Sequence, residues 1–254
     1  MVYQMSFRLC LFLFICLLGS QLGCQTRQAT ENTSDCIYEQ TAETDVSDEK
    51  IRLLFIESGL GEGDGKLEEL MTFPKEKIVA AVQKIKVRGV AKGEEGYQTE
   101  YHSEYMKTKS AYFLRKLGVD AAENEKYIVE ATKNKDFSLK FDALSYLEIF
   151  ISEGRKEYLP IVFEAAPEAD GGAGMEMQLL LVYELEKSPK IFLDYLSKEP
   201  LRNRKSVYDL VSYSDEMVGR GTLKKIKANV GKLKADKNLK IIAAEFLSEI
   251  SKQR

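Results

Sequence analysis

The 254-residue chain has no tryptophan and one histidine, His102. A single imidazole cannot build a histidine metal cluster, and any Ser-His-Asp arrangement would depend wholly on it. It sits in Glu100-Tyr101-His102-Ser103-Glu104, flanked by acids, which is the setting of an exposed helix histidine, and no Gly-x-Ser-x-Gly elbow is present. Cysteine is scarce as well. Of the four, Cys10 and Cys16 lie in an apolar run, and Cys24 and Cys36 in the polar stretch after it. With no Cys-x-x-Cys and no Cys/His spacing, neither a structural zinc site nor any other metal or cofactor is expected. The apolar run, residues 9–18, is ten residues long. That is half of the roughly 20 needed to cross a bilayer as a helix.

What is present begins with that run. Arg8 supplies a basic edge, and Gly19, Ser20 and Gly23 provide small residues just before Cys24. Basic edge, short apolar core and small-residue cleavage region make a secretory signal over residues 1–23. The segment Leu22-Gly23-Cys24 resembles the end of a bacterial lipoprotein signal, with Gln21 standing where that family usually has a leucine-like residue. The resemblance covers about a tenth of the chain and concerns targeting alone. It implies that Cys24 becomes the first mature residue and carries lipid, which anchors the protein at the cell envelope. Gln25 follows the cysteine, and by resemblance to enterobacterial lipoproteins this implies the outer membrane. The alternative is cleavage by the ordinary peptidase, giving a soluble periplasmic or secreted protein in which Cys24 and Cys36 can close a small disulfide loop.

Charge is unevenly spread. Residues 25–50 hold seven acids against Arg27 and Lys50, with few large apolar side chains, so residues 24–47 read as a flexible acidic tether. Residues 201–254 hold thirteen Lys and Arg against six acids. Lys224, Lys225, Lys227, Lys232 and Lys234 form the candidate basic surface, able to meet anionic headgroups, an acidic partner or an anionic glycan. The competing reading is a solvated helix face, because Leu223, Ile226, Val230 and Leu233 give the same segment an ordinary buried stripe. An exported address argues against nucleic acid.

From residue 48 to the C-terminus the apolar periodicity is helical nearly throughout, so residues 48–254 are expected to form one all-α domain. Residues 138–152 put Leu139, Ala143, Tyr146, Leu147 and Phe150 on one side, with Gly154 as the stop. Asp170-Gly171-Gly172-Ala173-Gly174 reads as a loop. The helix after it carries Leu179-Leu180-Leu181-Val182-Tyr183, apolar almost all round, and should be central and covered on both sides. Residues 52–56 and 84–87 are the only weak strand candidates.

A helix pair recurs. Ser110-Ala111-Tyr112-Phe113-Leu114 followed by Tyr127-Ile128-Val129 returns as Asp142-Ala143-Leu144-Ser145-Tyr146-Leu147 followed by Tyr158-Leu159-Pro160-Ile161-Val162. It returns again as Gln178-Leu179-Leu180-Leu181-Val182-Tyr183 followed by Ile191-Phe192-Leu193. The offset is about 32 to 36 residues, the range of helical solenoids. The unit resembles HEAT-type repeats over residues 97–198, which implies an α-solenoid of stacked helix pairs. The alternative is an irregular helical bundle. The tetratricopeptide pattern is not met, since its Trp and Leu-Gly are missing.

Residues 59–66, Gly-Leu-Gly-Glu-Gly-Asp-Gly-Lys, invite comparison with phosphate loops, but Leu60 and Leu67 occupy the places that need a glycine and a hydroxyl. This segment is a connector. Tyr97, Tyr101, Tyr105 and Tyr112 recur along one face of a helix and are the candidate ligand groove, against the plainer reading that they pack between helices. An array of helices without a catalytic signature points to a non-enzymatic binding or scaffold protein that engages another envelope protein through its surface. Two alternatives stay open: a carboxylate-based glycan hydrolase, which needs two acids across a cleft, and an immunity- or inhibitor-type lipoprotein.

Overall fold

The computed structural model describes residues 39–61, 63–90, 100–233 and 237–252, and among these every regular element is helical. The helices are α1 (Glu39–Glu57), α2 (Gly65–Leu70), α3 (Lys75–Arg88), α4 (Glu100–Lys116), α5 (Ala121–Ala131), α6 (Phe137–Ser152), α7 (Leu159–Ala165), α8 (Gly171–Lys187), α9 (Pro189–Leu196), α10 (Leu201–Ser212), α11 (Ser214–Met217), α12 (Thr222–Gly231) and α13 (Lys237–Lys252). Short 3₁₀ turns, Lys156–Tyr158 and Ala166–Glu168, flank α7. Val46–Arg254 forms one compact unit. The signal, the lipidation residue Cys24, Tyr97 and Lys234 lie outside the described residues.

The fold is all-α. Both strand candidates are helical: residues 52–56 fall in α1 and 84–87 in α3. Each helix buries a stripe at three- and four-residue spacing, Ile51, Leu54 and Phe55 in α1 and Ile78, Ala81, Val82 and Ile85 in α3. That period decides for helix over strand in both segments. Helix α1 starts at Glu39, inside the stretch read as a tether.

From α4 to α9 the helices contact in series: α4 against α5 and α6, α6 against α8, and α7 against α9. From α10 onward the chain turns back. Helix α10 meets α7, α8 and α13, and α12 meets α8 and α9, in the manner of a bundle rather than an extended series. Aromatic rings bind successive layers. Phe55 meets Phe113 at 5.3 Å, Tyr112 meets Tyr146 at 4.5 Å, Phe163 meets Phe192 at 5.0 Å and Tyr208 meets Phe246 at 5.5 Å. Burying each such side chain contributes about 1.5 to 3 kcal/mol.

Helix α8 touches α6, α9, α10, α11 and α12, so it is central as its composition implies. It is not covered all round. Leu180, Leu181, Val182 and Leu185 are buried, whereas Leu179 is 46% exposed and shares an outward face with half-exposed Met175. The glycines before it are also not a loop, because α8 begins at Gly171 and Gly174 is buried beside Leu210. Gly89, at φ 69°, ends α3 where a Cβ would fall 1.8 Å from the Ser103 hydroxyl, so only glycine allows α4 to pack this closely.

Candidate functional site

The 3₁₀ turn after α6 carries the most organised charged cluster. Glu125 of α5 is buried, and its Oε2 accepts from Nε of Arg115 on α4 at 3.0 Å. Its Oε1 faces Nη1 of Arg155 at 2.5 Å and accepts from the Tyr158 hydroxyl. Arg115 also reaches Glu153 at 3.0 Å and lies over the Phe150 ring at 3.8 Å. Arg155 stacks over Tyr158 at 5.2 Å, donates to its hydroxyl at 3.1 Å and binds Glu157 at 2.5 Å. Burial, and then the hydrogen bond to Glu125, push the Tyr158 phenol up to about 12. The carboxylate is committed to three donors. The cluster is therefore a clamp that fixes Arg155 and Tyr158 at the surface, where Arg155 is exposed, and Glu125 is not placed to take a proton from a substrate.

Three clefts lie around α5 and the turn after it. One of about 260 Å³ is lined by Ala122, Glu125, Lys126, Val129, Arg155 and Tyr158. One of about 200 Å³ holds Glu104, Thr108, Tyr127, Glu130, Asn134 and Leu139, and one of about 240 Å³ holds Asn134, Lys140, Ile161 and Glu164. The last two share Asn134, so they continue into one another across the α5–α6 turn. Glu104 and Glu130 are the acids that a glycan hydrolase would need across a cleft. Each is tied instead to a lysine three residues on, Lys107 at 2.6 Å and Lys133 at 2.8 Å.

Of the tyrosine stripe, the side chains of Tyr97 and Tyr101 lie outside the described residues. Tyr105 and Tyr112 face α6. The Tyr112 ring stacks on Tyr146, and Tyr105 hydrogen-bonds with Tyr146. These rings are spent on holding α4 to α6. Burial is the first cause of a raised phenol at Tyr105, Tyr112, Tyr127, Tyr146, Tyr158 and Tyr208. The sign follows directly. A folded pKa above the unfolded value near 10 means that the native state holds protons the unfolded chain has released. This stability is complete below pH about 10 and is lost as pH rises past it. Thermal melts should fall steeply above pH about 10, with phenolate absorbance from these residues appearing together with unfolding. A single titration of all thirteen tyrosines near their ordinary value, with the fold intact, would contradict this burial.

The basic surface maps to α12 and its exit. Lys224, Lys225 and Lys232 are exposed and Lys227 is half-exposed. The buried stripe beside them is Leu223, Ile226 and Val230, with Leu233 half-buried. His102 is half-exposed on α4, away from any described cluster of metal-ligating groups.

Arg155 and Tyr158 were not singled out by sequence reasoning. Gly154-Arg155-Lys156-Glu157 after a helix stop has the look of an ordinary charged turn, and the one available signal was Tyr158 recurring at the repeat position of Tyr127. Comparison with protein families, curated proteins and solved structures finds no match for this chain.

Proposed function

We propose that the chain is an exported, lipid-anchored binding protein of the bacterial envelope that holds another envelope protein and does no chemistry of its own. The observation that carries this is the Arg155–Tyr158 pair, locked by Glu125 beside an open cleft of about 260 Å³. Arg and Tyr dominate binding hot spots, and side chains already fixed in place lose little freedom on association. The neighbouring clefts have apolar or aromatic floors, Val129, Tyr127, Leu139 and Ile161, and charged rims, the anatomy of a protein interface. Each is smaller than the roughly 300–1,000 Å³ of small-molecule sites. The small residues and cysteine of Leu22-Gly23-Cys24 after an apolar core support the anchor and the address.

The test has two parts. Mass spectrometry of the mature N-terminus should find lipid on Cys24, and an unmodified Cys24 would remove the anchor. Crosslinking in envelope fractions should trap a defined protein with the native chain and lose it at least tenfold with Arg155→Glu or Tyr158→Ala, while both variants melt cooperatively. Undiminished trapping by both variants would rule out this surface.

A further inference from the structure

Among the described residues, helix α12 is rich in lysines without ion-pair partners. Several lysines elsewhere pair with an acid one turn away: Lys107 with Glu104, Lys133 with Glu130, Lys198 with Asp194 and Lys252 with Glu249. Lys224, Lys225 and Lys227 have no acid at three- or four-residue spacing. Lys224 instead faces Arg220 and Lys227 at those spacings, and like charges so placed repel. Lys224 and Lys225 also sit in the first turns of α12, at the positive end of its dipole, where the acid present is Asp215, whose Oδ1 accepts from Leu223 N at 2.7 Å. Helix α13 repeats the pattern, opening with Lys237 and Lys240 and no first-turn acid. Between residues 217 and 244, eight Lys and Arg stand against one acid, Asp236. Among the described residues, Lys224, Lys225, Lys227, Lys232, Lys237 and Lys240 make no ion pair. Exposed lysines without ion pairs on two successive helices mark a surface kept for something outside the fold.

We infer that the basic face of α12 and α13 docks the folded body on an anionic lipid surface. Apart from Arg220, the cations on this face are lysines, compact point charges that suit a diffuse headgroup layer, not the planar forks that recognise single phosphates in a fixed geometry. Ile241 is 59% exposed, one turn from Lys237 on the outward side of α13, and gives the face an apolar residue to seat below the headgroups. The inference rests on the proposed lipid at Cys24, which would hold the body beside a bilayer at high effective concentration, so that shallow attraction from several charges is enough. Repulsion among these unpaired lysines is relieved when headgroup phosphates meet them.

The experiment is co-sedimentation of the mature chain carrying Cys24→Ser with phosphatidylglycerol-containing vesicles and with pure phosphatidylcholine vesicles, at low and high salt. Selective binding to the anionic vesicles, lost at high salt, is expected. Lys224→Glu/Lys225→Glu/Lys227→Glu/Lys232→Glu should bind at least tenfold more weakly and melt no lower than the parent, because its acids now suit the helix start. The Lys→Gln version should show the same loss should the Glu version misfold. Equal binding to neutral vesicles, binding to neither, full binding by the folded variants, or tighter capture by duplex DNA or a sulfated glycan at the same salt would overturn the inference. The N-terminal mass is read separately. Selective vesicle binding with an unmodified Cys24 leaves the face standing and removes the anchor, and a lipidated Cys24 with no vesicle binding does the reverse.

Discussion

Replacing Lys109 by Met lowers the unfolding free energy by about 1.5 to 3 kcal/mol, out of a total of about 5 to 15 for a domain of this kind. Lys109 is 2% exposed, and its ammonium donates to the carbonyls of Phe55 at 2.9 Å, Ile56 at 3.0 Å and Ser58. It also stands 5.0 Å from the Phe55 ring. These carbonyls are the open negative end of α1, so a buried cation is the partner they call for. Burial pushes the amine down to about 8, with Asp64 working in the opposite direction. Asp64 in turn accepts from the Gly59 amide and caps α2 through Lys66 N at 2.9 Å. Met keeps the volume of the stem and removes the three donors. Urea denaturation of the purified variant reads the loss directly. A change below about 1 kcal/mol would mean that water satisfies these carbonyls unaided.

The second large effect is asymmetric. Glu184 on α8 is fully buried, Lys156 Nζ stands 2.5 Å from its Oε2 as an ion pair, and neither oxygen has an aligned hydrogen-bond donor among the described residues. Lys156 also donates to Ile151 O at 2.6 Å and keeps contact with water. Lys156→Met therefore strands a carboxylate in the core and should cost about 3 to 5 kcal/mol. Glu184→Leu leaves a lysine that still has a carbonyl and a route to solvent, and should cost about 1 kcal/mol or less. The double variant should recover most of the Lys156→Met loss, since an apolar pair can replace a buried ion pair at little cost. A double-mutant cycle by chemical denaturation decides it. Equal losses for the two single variants, or no recovery in the double, would show that the pair is solvated in the native state.

Both lysines were invisible in the sequence for the same reason. Lys109 lies in Lys107-Thr108-Lys109-Ser110, which has the composition of a solvated face, and the carbonyls it serves are more than fifty residues upstream. Lys156 follows a glycine stop like any turn lysine. The helices themselves were legible wherever a stripe was strict, as in α6 with Ala143, Leu147 and Phe150, because burial and period agree there. Leu179 shows the limit of that reasoning. Five consecutive apolar residues imply burial all round, yet which side of α8 meets a neighbour is settled by α10 and α12 arriving from later in the chain. Asp170 to Gly174 failed in the other direction, since the helix begins at Gly171 and takes in the three glycines that read as a loop. At the candidate site, Arg155 and Tyr158 depend on Glu125, some thirty residues away, and no local pattern announces a clamp of that kind.

The seal around Lys109 has a use at the bench. Acylating reagents attack free amines, and the lysines of α12 should react at once, whereas this amine becomes reachable only when the last turn of α1 lifts from α4. Its modification rate under native conditions thus measures the opening free energy of that one helix end, separately from global unfolding. One buried amine turns the junction of α1, α2 and α4 into a clock for local fraying, readable by peptide mass without any probe being added to the chain.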